Sequence, residues 1–117
     1  MIGPPPGTRI YLACGVTDMR RGFDSLSAQV ESALNLDPYG GSIFIFRGRR
    51  GDLLKALYWD GQGLVLYAKR LEKGRFVWPQ AKEGAVSLTA AQLSMLVEGI
   101  DWRQPLWTAR PQTEIQV

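Results

Sequence analysis

The chain has no histidine and a single cysteine, Cys14. Without histidine there is no Ser-His-Asp or Cys-His nucleophile system and no ordinary neutral-pH general base. The two shortages together exclude a structural zinc site and an internal disulfide, and such sparse cysteine usage fits a reducing cytoplasm. Long apolar runs are also missing: nothing approaches the roughly 18 residues of a membrane span. The opening MIGPPPGTRIYLACG has no basic stretch leading into an apolar one, so no secretory leader and no membrane contact is expected. A phosphate-cradling loop is absent as well. Gly48 and Gly51 of 47-RGRRG do not match G-x-x-x-x-G-K-[ST], and Gly61 and Gly63 read as hairpin residues.

What is present is enough for a core. Of 117 residues, 45% are hydrophobic, which permits one packed domain but not two. Pro4, Pro5 and Pro6 favour polyproline II, so residues 1–8 read as an arm. Residues 9–107 read as the domain, and 108–117 (TARPQTEIQV) as a polar, flexible tail.

Within the domain, Arg9 to Ala13 suits a short strand that Gly15 ends. Met19, Phe23, Leu26, Val30 and Leu34 then recur at helical spacing, with Thr17 and Asp18 as candidate caps. Gly22 weakens the first turn, which places the regular helix from about Phe23, and Asp37-Pro38 stops it. The run 43-IFIF fits a central strand buried on both faces. Leu53 to Trp59 and Leu64 to Leu71 flank 60-DGQG, a hairpin signal, because glycine supplies the positive φ of a tight turn. Glu72-Lys73-Gly74 is a further turn, and 75-RFVW is expected to continue as a strand. In 88-LTAAQL, Thr89 and Gln92 make a capping box, Leu88 and Leu93 a hydrophobic staple, and Gly99 a C-terminal cap. The expected class is α+β: a small antiparallel meander of about four to five strands with two main helices packed on it.

Charge is uneven. From Arg47 to Lys82 there are nine basic residues and three acids, a net +6, so the rest of the chain carries −3. Such asymmetry points to an anionic partner. The candidate contact residues are Arg47, Arg49, Arg50, Lys55, Lys69, Arg70, Lys73 and Arg75, with Tyr67 available to stack on an unpaired base. Ten of the fourteen cations are arginine, which suits bidentate phosphate contacts. The plainer alternative is a solvated sheet face with Tyr58, Trp59, Tyr67 and Trp78 in the core. Arg20 and Arg21 oppose the helix dipole; a ligand or an acidic partner would explain them, but ion pairs with Asp18 or Asp24 are the simpler account. Asp52, Asp60 and Glu72 could in principle hold magnesium, but a turn role for Asp60 and charge balance for the other two is the simpler reading. No catalytic residue, metal or cofactor is expected.

The segments 15-GVTDMRRGFDSL, 44-FIFRGRRGDLLKALYWDGQGLVLYAKRLEKGRFVWP and 99-GIDWRQP resemble, in the same order, the TnpB accessory protein of the insertion-sequence sixty-six transposon family. The likeness runs from about Ile10 to Pro105. It implies a non-catalytic accessory role in DNA transposition, beside a separate, larger transposase that performs strand cleavage. No residue roles come with the resemblance. Two acts remain open: binding of element DNA, with the element ends as the expected site, through the basic hairpin, or adaptor contacts with the transposase or another accessory protein. Self-association through an exposed sheet edge is a third matter the sequence leaves open.

Overall fold

The structure is a computed structural model and describes residues 4–103. Its elements follow the chain as β1 (Ile10–Val16), α1 (Phe23–Ala33), β2 (Ile43–Arg47), β3 (Leu53–Trp59), β4 (Leu64–Arg70), β5 (Ala85–Leu88) and α2 (Ala90–Val97). The five strands form one sheet in the order β4-β3-β2-β1-β5. The α+β class is as expected and most pairings are antiparallel, but the sheet is mixed. β1 and β2 run parallel, Ile10 opposite Ile43 and Leu12 opposite Ile45. The reason is α1: a helix that intervenes between two neighbouring strands carries the chain back to the end it started from, so the second strand repeats the direction of the first.

Alternation divides the core into two layers. Ile43 and Ile45 of β2 point to one face, with Leu54 and Ala56 of β3 and with Leu93 and Leu96 of α2. Phe44 and Phe46 point to the other, with Leu57 and with Leu26 and Val30 of α1. The helices therefore cover opposite faces, and IFIF is the central, doubly buried strand that its four consecutive apolar residues implied.

α2 follows its local grammar closely. The Thr89 hydroxyl accepts from the Gln92 backbone N–H at 3.0 Å, and the Gln92 side chain accepts from the Thr89 N–H at 2.9 Å. At the other end, Gly99 takes φ 78, its N–H donates to Leu96 and that of Ile100 to Met95, which is a Schellman closure. Trp102 lies beyond it, buried, with its indole N–H donating to the Val77 carbonyl at 2.6 Å. Trp102 thus covers the core. Trp107, the tail from Thr108 and the first three residues of the arm lie outside the described residues.

Several local expectations are corrected. β1 runs through Gly15 to Val16, with an irregularity in its pairing after Leu12. Thr17 and Asp18 do not cap α1, whose N-cap is Gly22 with no side-chain bond. Thr17 is buried and accepts from the Gln29 side chain, while Asp18 accepts from the Arg20 backbone within its own turn. Of the expected helical stripe, Leu26 and Val30 are buried, Met19 precedes the helix, and Phe23 is 48% exposed.

The segment 75-RFVW is not a strand. Phe76 and Trp78 do point inward, as alternation required, yet their hydrogen bonds go to the Gly51 carbonyl and not to a neighbouring strand. The fifth strand is Ala85–Leu88, paired with β1. Its four residues include Ala and Ser, both exposed, and a single β-branched residue, Val86, so it lacks both the length and the β-branched content that mark a strand in sequence.

Candidate nucleic-acid interface

Parallel pairing puts the C-terminal ends of β1 and β2 side by side, and the loops that leave them meet there. The Thr17 N–H donates to the Arg47 carbonyl at 2.8 Å and fixes the first loop against the second. The β2–β3 connection is a tight turn closed by Gly51 N–H to Gly48 carbonyl at 3.1 Å, with Arg49 and Arg50 at its exposed corners. Gly51 is held at φ 80, and its carbonyl accepts from the Phe76 N–H at 2.9 Å and the Trp78 indole at 3.0 Å. Met19 closes the other flank, so near to Gly48 that a Cβ there would lie 2.7 Å from the Met19 Cγ. This turn is anchored on three sides, and only its arginine side chains reach outward.

The groove beside it holds about 540 Å³ and is lined by Arg20, Arg49, Arg50 and Arg70, with Asp18 and Asp52. Arg70 comes from β4, opposite Leu53, and stands on the α1 face. Arg75 joins from the other side, its Cδ 3.4 Å from where a Gly51 Cβ would be. Among the described residues, Arg49, Arg50, Arg70 and Arg75 have no carboxylate within ion-pair distance. The end of the sheet is therefore a cationic surface with fixed backbone and free side-chain charge, which suits anion contact.

Not every sequence candidate belongs to it. Lys55 reaches across the α1 face to donate to the Arg21 carbonyl at 2.9 Å. Lys69 lies on the opposite face and donates to the Val97 carbonyl at 2.8 Å, where it tops the C-terminus of α2. Tyr67 is half-buried and packs on the α2-side core, so it is not a free stacking platform. Lys73 is exposed in the turn after β4. Arg47 is half-buried, its guanidinium 5.3 Å from the Trp78 ring centroid. Period-two alternation is the cause of this dispersal: residues one apart, such as Lys69 and Arg70, face opposite ways.

Two further cations stand at this end outside the expected contact set. Arg20, expected in an ion pair with Asp18 or Asp24 rather than on a ligand, pairs with Asp18 at 2.7 Å and also lines the groove. Lys82 was counted in the basic segment without a role, and it shares a cleft with Arg47. No local pattern could have found either, since Arg20 depends on the parallel β1–β2 pair and Lys82 on the antiparallel pairing of β5 with β1. Asp60 does shape its turn, accepting from the Gln62 and Gly63 N–H groups at 2.9 Å. Among the described residues no three potential metal ligands converge, and no helix is long and apolar enough to cross a membrane.

The Asp18–Arg20 contact makes a measurable prediction. Hydrogen bonds from the Arg20 side chain hold the Asp18 carboxyl well below the usual carboxylate range. A depressed folded-state pKa contributes stability that is present above the ordinary aspartate pKa and lost as pH falls through the folded one. Carboxylate-detected NMR should therefore show Asp18 still ionised when free aspartate has protonated. Arg20→Gln should bring its titration back towards the ordinary range, and an unchanged titration would mean the pair does not persist in solution.

A model of the family described as IS66 Orf2-like protein (TnpB_IS66) matches residues 8–106. Uncharacterized protein y4hO of Sinorhizobium fredii (strain NBRC 101917 / NGR234) is 51% identical over 95% of this chain and 96% of its own length. Uncharacterized protein y4jC of the same organism is 49% identical over 87% of each chain. No solved structure matches. The family match covers every described strand and helix, including the arginine turn, and it supports a role as a transposition accessory protein: the chain belongs to the IS66 Orf2-like, or TnpB, family of insertion-sequence proteins.

Proposed function

We propose that this accessory protein binds the DNA of its element during transposition, and that it does so through the arginine-lined end of the sheet. The observation that carries the reading is the convergence of Arg49, Arg50 and Arg70, unpaired among the described residues, around one groove with a hydrogen-bonded rim. Phosphates are the partner such a site fits. Arginine offers a planar fork to phosphate oxygens, and a rigid loop loses little entropy when it docks. Arg75 and Lys73 extend the surface, whereas Lys55, Lys69 and Tyr67 support the fold. The part played is binding and placement, and strand cleavage falls to the larger transposase.

Fluorescence anisotropy with a labelled duplex from the element ends, and a scrambled control, tests this. Affinity should fall steeply with salt, because each phosphate contact releases counterions. Changing Arg49, Arg50 and Arg70 together to alanine should flatten the slope of log K against log salt by roughly 0.9 per lost contact. Preference for the end sequence over the control would add sequence readout to phosphate contact. An absence of binding at low salt would overturn the reading and leave the transposase, or another accessory protein, as the partner of the same arginines.

A further inference from the structure

Beyond the groove, the same end of the sheet carries a second cleft, walled by Gly15, Val16, Arg47, Pro79, Gln80 and Lys82. Val16, 55% exposed, stands between the two and lines both. We infer that this cleft is a separate oxyanion site, in which Arg47 and Lys82 hold a single phosphate group. It rests on the preceding reading only for where that phosphate comes from.

Arg47 is the unusual residue. Its position in β2 sends its side chain to the α2 face, where the guanidinium lies over the Trp78 ring with 5.3 Å between carbon and centroid. Its Nε–H is shut off from solvent and has no acceptor among the described residues. No described carboxylate lies within ion-pair distance of the guanidinium either. A half-buried cation with no described carboxylate partner is costly, and an anion entering the cleft offsets that charge. The indole holds the guanidinium from one side while Arg47 also lines the cleft, and a guanidinium fork favours a flat or tetrahedral oxyanion over a spherical ion.

Two further features define the site. Lys82 supplies a second, exposed cation to the lining of the cleft, which therefore suits a group carrying more than one negative charge, as inorganic phosphate does near neutral pH. Its backbone is tightly set: a Cβ on Gly15 would meet the Lys82 carbonyl at 3.3 Å, and the Cys14 N–H donates to the Gly84 carbonyl at 3.0 Å. The backbone that carries the lysine is thus held against β1, beside the cleft that Arg47 also lines.

The test uses the full chain labelled with nitrogen-15, observing arginine Nε–Hε and tryptophan indole signals. Inorganic phosphate is titrated at constant ionic strength, with chloride as the control anion. The Arg47 signal, identified by its loss in Arg47→Lys, and the Trp78 indole should shift saturably with phosphate and not with chloride. Lys82→Gln, a change at an exposed side chain, should weaken that response roughly tenfold, as expected for losing a charge-assisted contact. A saturable shift at Arg49, Arg50 or Arg70 with none at Arg47 would overturn the inference and leave the groove as the sole anion surface. An equal response to chloride would overturn it too. Adding duplex DNA distinguishes the source. If DNA displaces phosphate from Arg47, the site takes a backbone phosphate. If phosphate binds and DNA leaves Arg47 unmoved, the cleft serves a free phosphate group, and it stands even should DNA binding fail.

Discussion

Replacing Trp78 by alanine is expected to cost about 3–5 kcal/mol of stability, the range for removing a large buried aromatic. In a domain of this size that lowers the thermal midpoint by more than about 10 °C. Trp78 is only 9% exposed, and three neighbours depend on it. Phase by phase, the change removes an edge-to-face contact with Phe76 at 5.8 Å, the surface beneath Arg47, and the indole donor to the Gly51 carbonyl. Trp78→Phe separates these contributions. It keeps a ring but loses the N–H, and because Phe76 still donates to the same carbonyl, the loss should be near 1 kcal/mol. Calorimetry or a circular-dichroism melt reads both. An alanine variant as stable as the parent would mean the segment from Phe76 to Trp78 is not packed as described.

The dependence of the arginine turn on Trp78 also shows where sequence reasoning reached its limit. The helices, the DGQG hairpin, the doubly buried IFIF strand and the capping box were legible because each is written in residues within one or two turns of each other. Phe76 and Trp78 showed the right alternation, and that is why a strand was expected there. Whether an extended segment joins a ladder depends on what lies beside it, and here its partner is a loop, Gly51. β5 had the opposite fate. Its neighbour β1 supplies the pairing, so a segment with little β preference of its own becomes a strand.

The candidate site was half legible for the same reason. Charge density marked the segment that supplies Arg49, Arg50, Arg70, Lys73 and Arg75, all of them exposed. It could not tell that Lys55 and Lys69 are spent on backbone carbonyls on opposite faces, since that depends on where α1 and α2 dock. Nor could it bring Arg20 and Lys82 to the same end. Arg20 lies on the loop that leaves β1 beside the end of its parallel neighbour β2, and Lys82 leads into β5, which runs antiparallel to β1; the hairpin signals elsewhere in the chain disguised both pairings. The chemistry of the surface was thus readable from composition, and its membership only from topology.

Gly51→Ala is expected to be a strongly damaging single methyl group on that surface. Two costs combine. At φ 80 an alanine sits in the left-handed region, at about 1–2 kcal/mol. The new Cβ also meets the Trp78 Nε1 at 3.2 Å and the Arg75 Cδ at 3.4 Å. Arg75 is exposed and can swing aside, but the indole cannot retreat without giving up its bond to the Gly51 carbonyl of the same residue. Crowding of this kind adds about 1–3 kcal/mol. Gly61→Ala supplies the comparison: its φ is 103, nothing lies within 4 Å of its Cβ, and it belongs to the hairpin at the far end of β3 and β4. Denaturant melts should show Gly51→Ala costing more than Gly61→Ala by the contact alone. Anisotropy on the two folded variants should show weaker DNA binding for Gly51→Ala only, because Arg49 and Arg50 hang from that turn. Equal losses of stability would mean that Trp78 yields freely, and the turn would then owe its shape to its own hydrogen bonds.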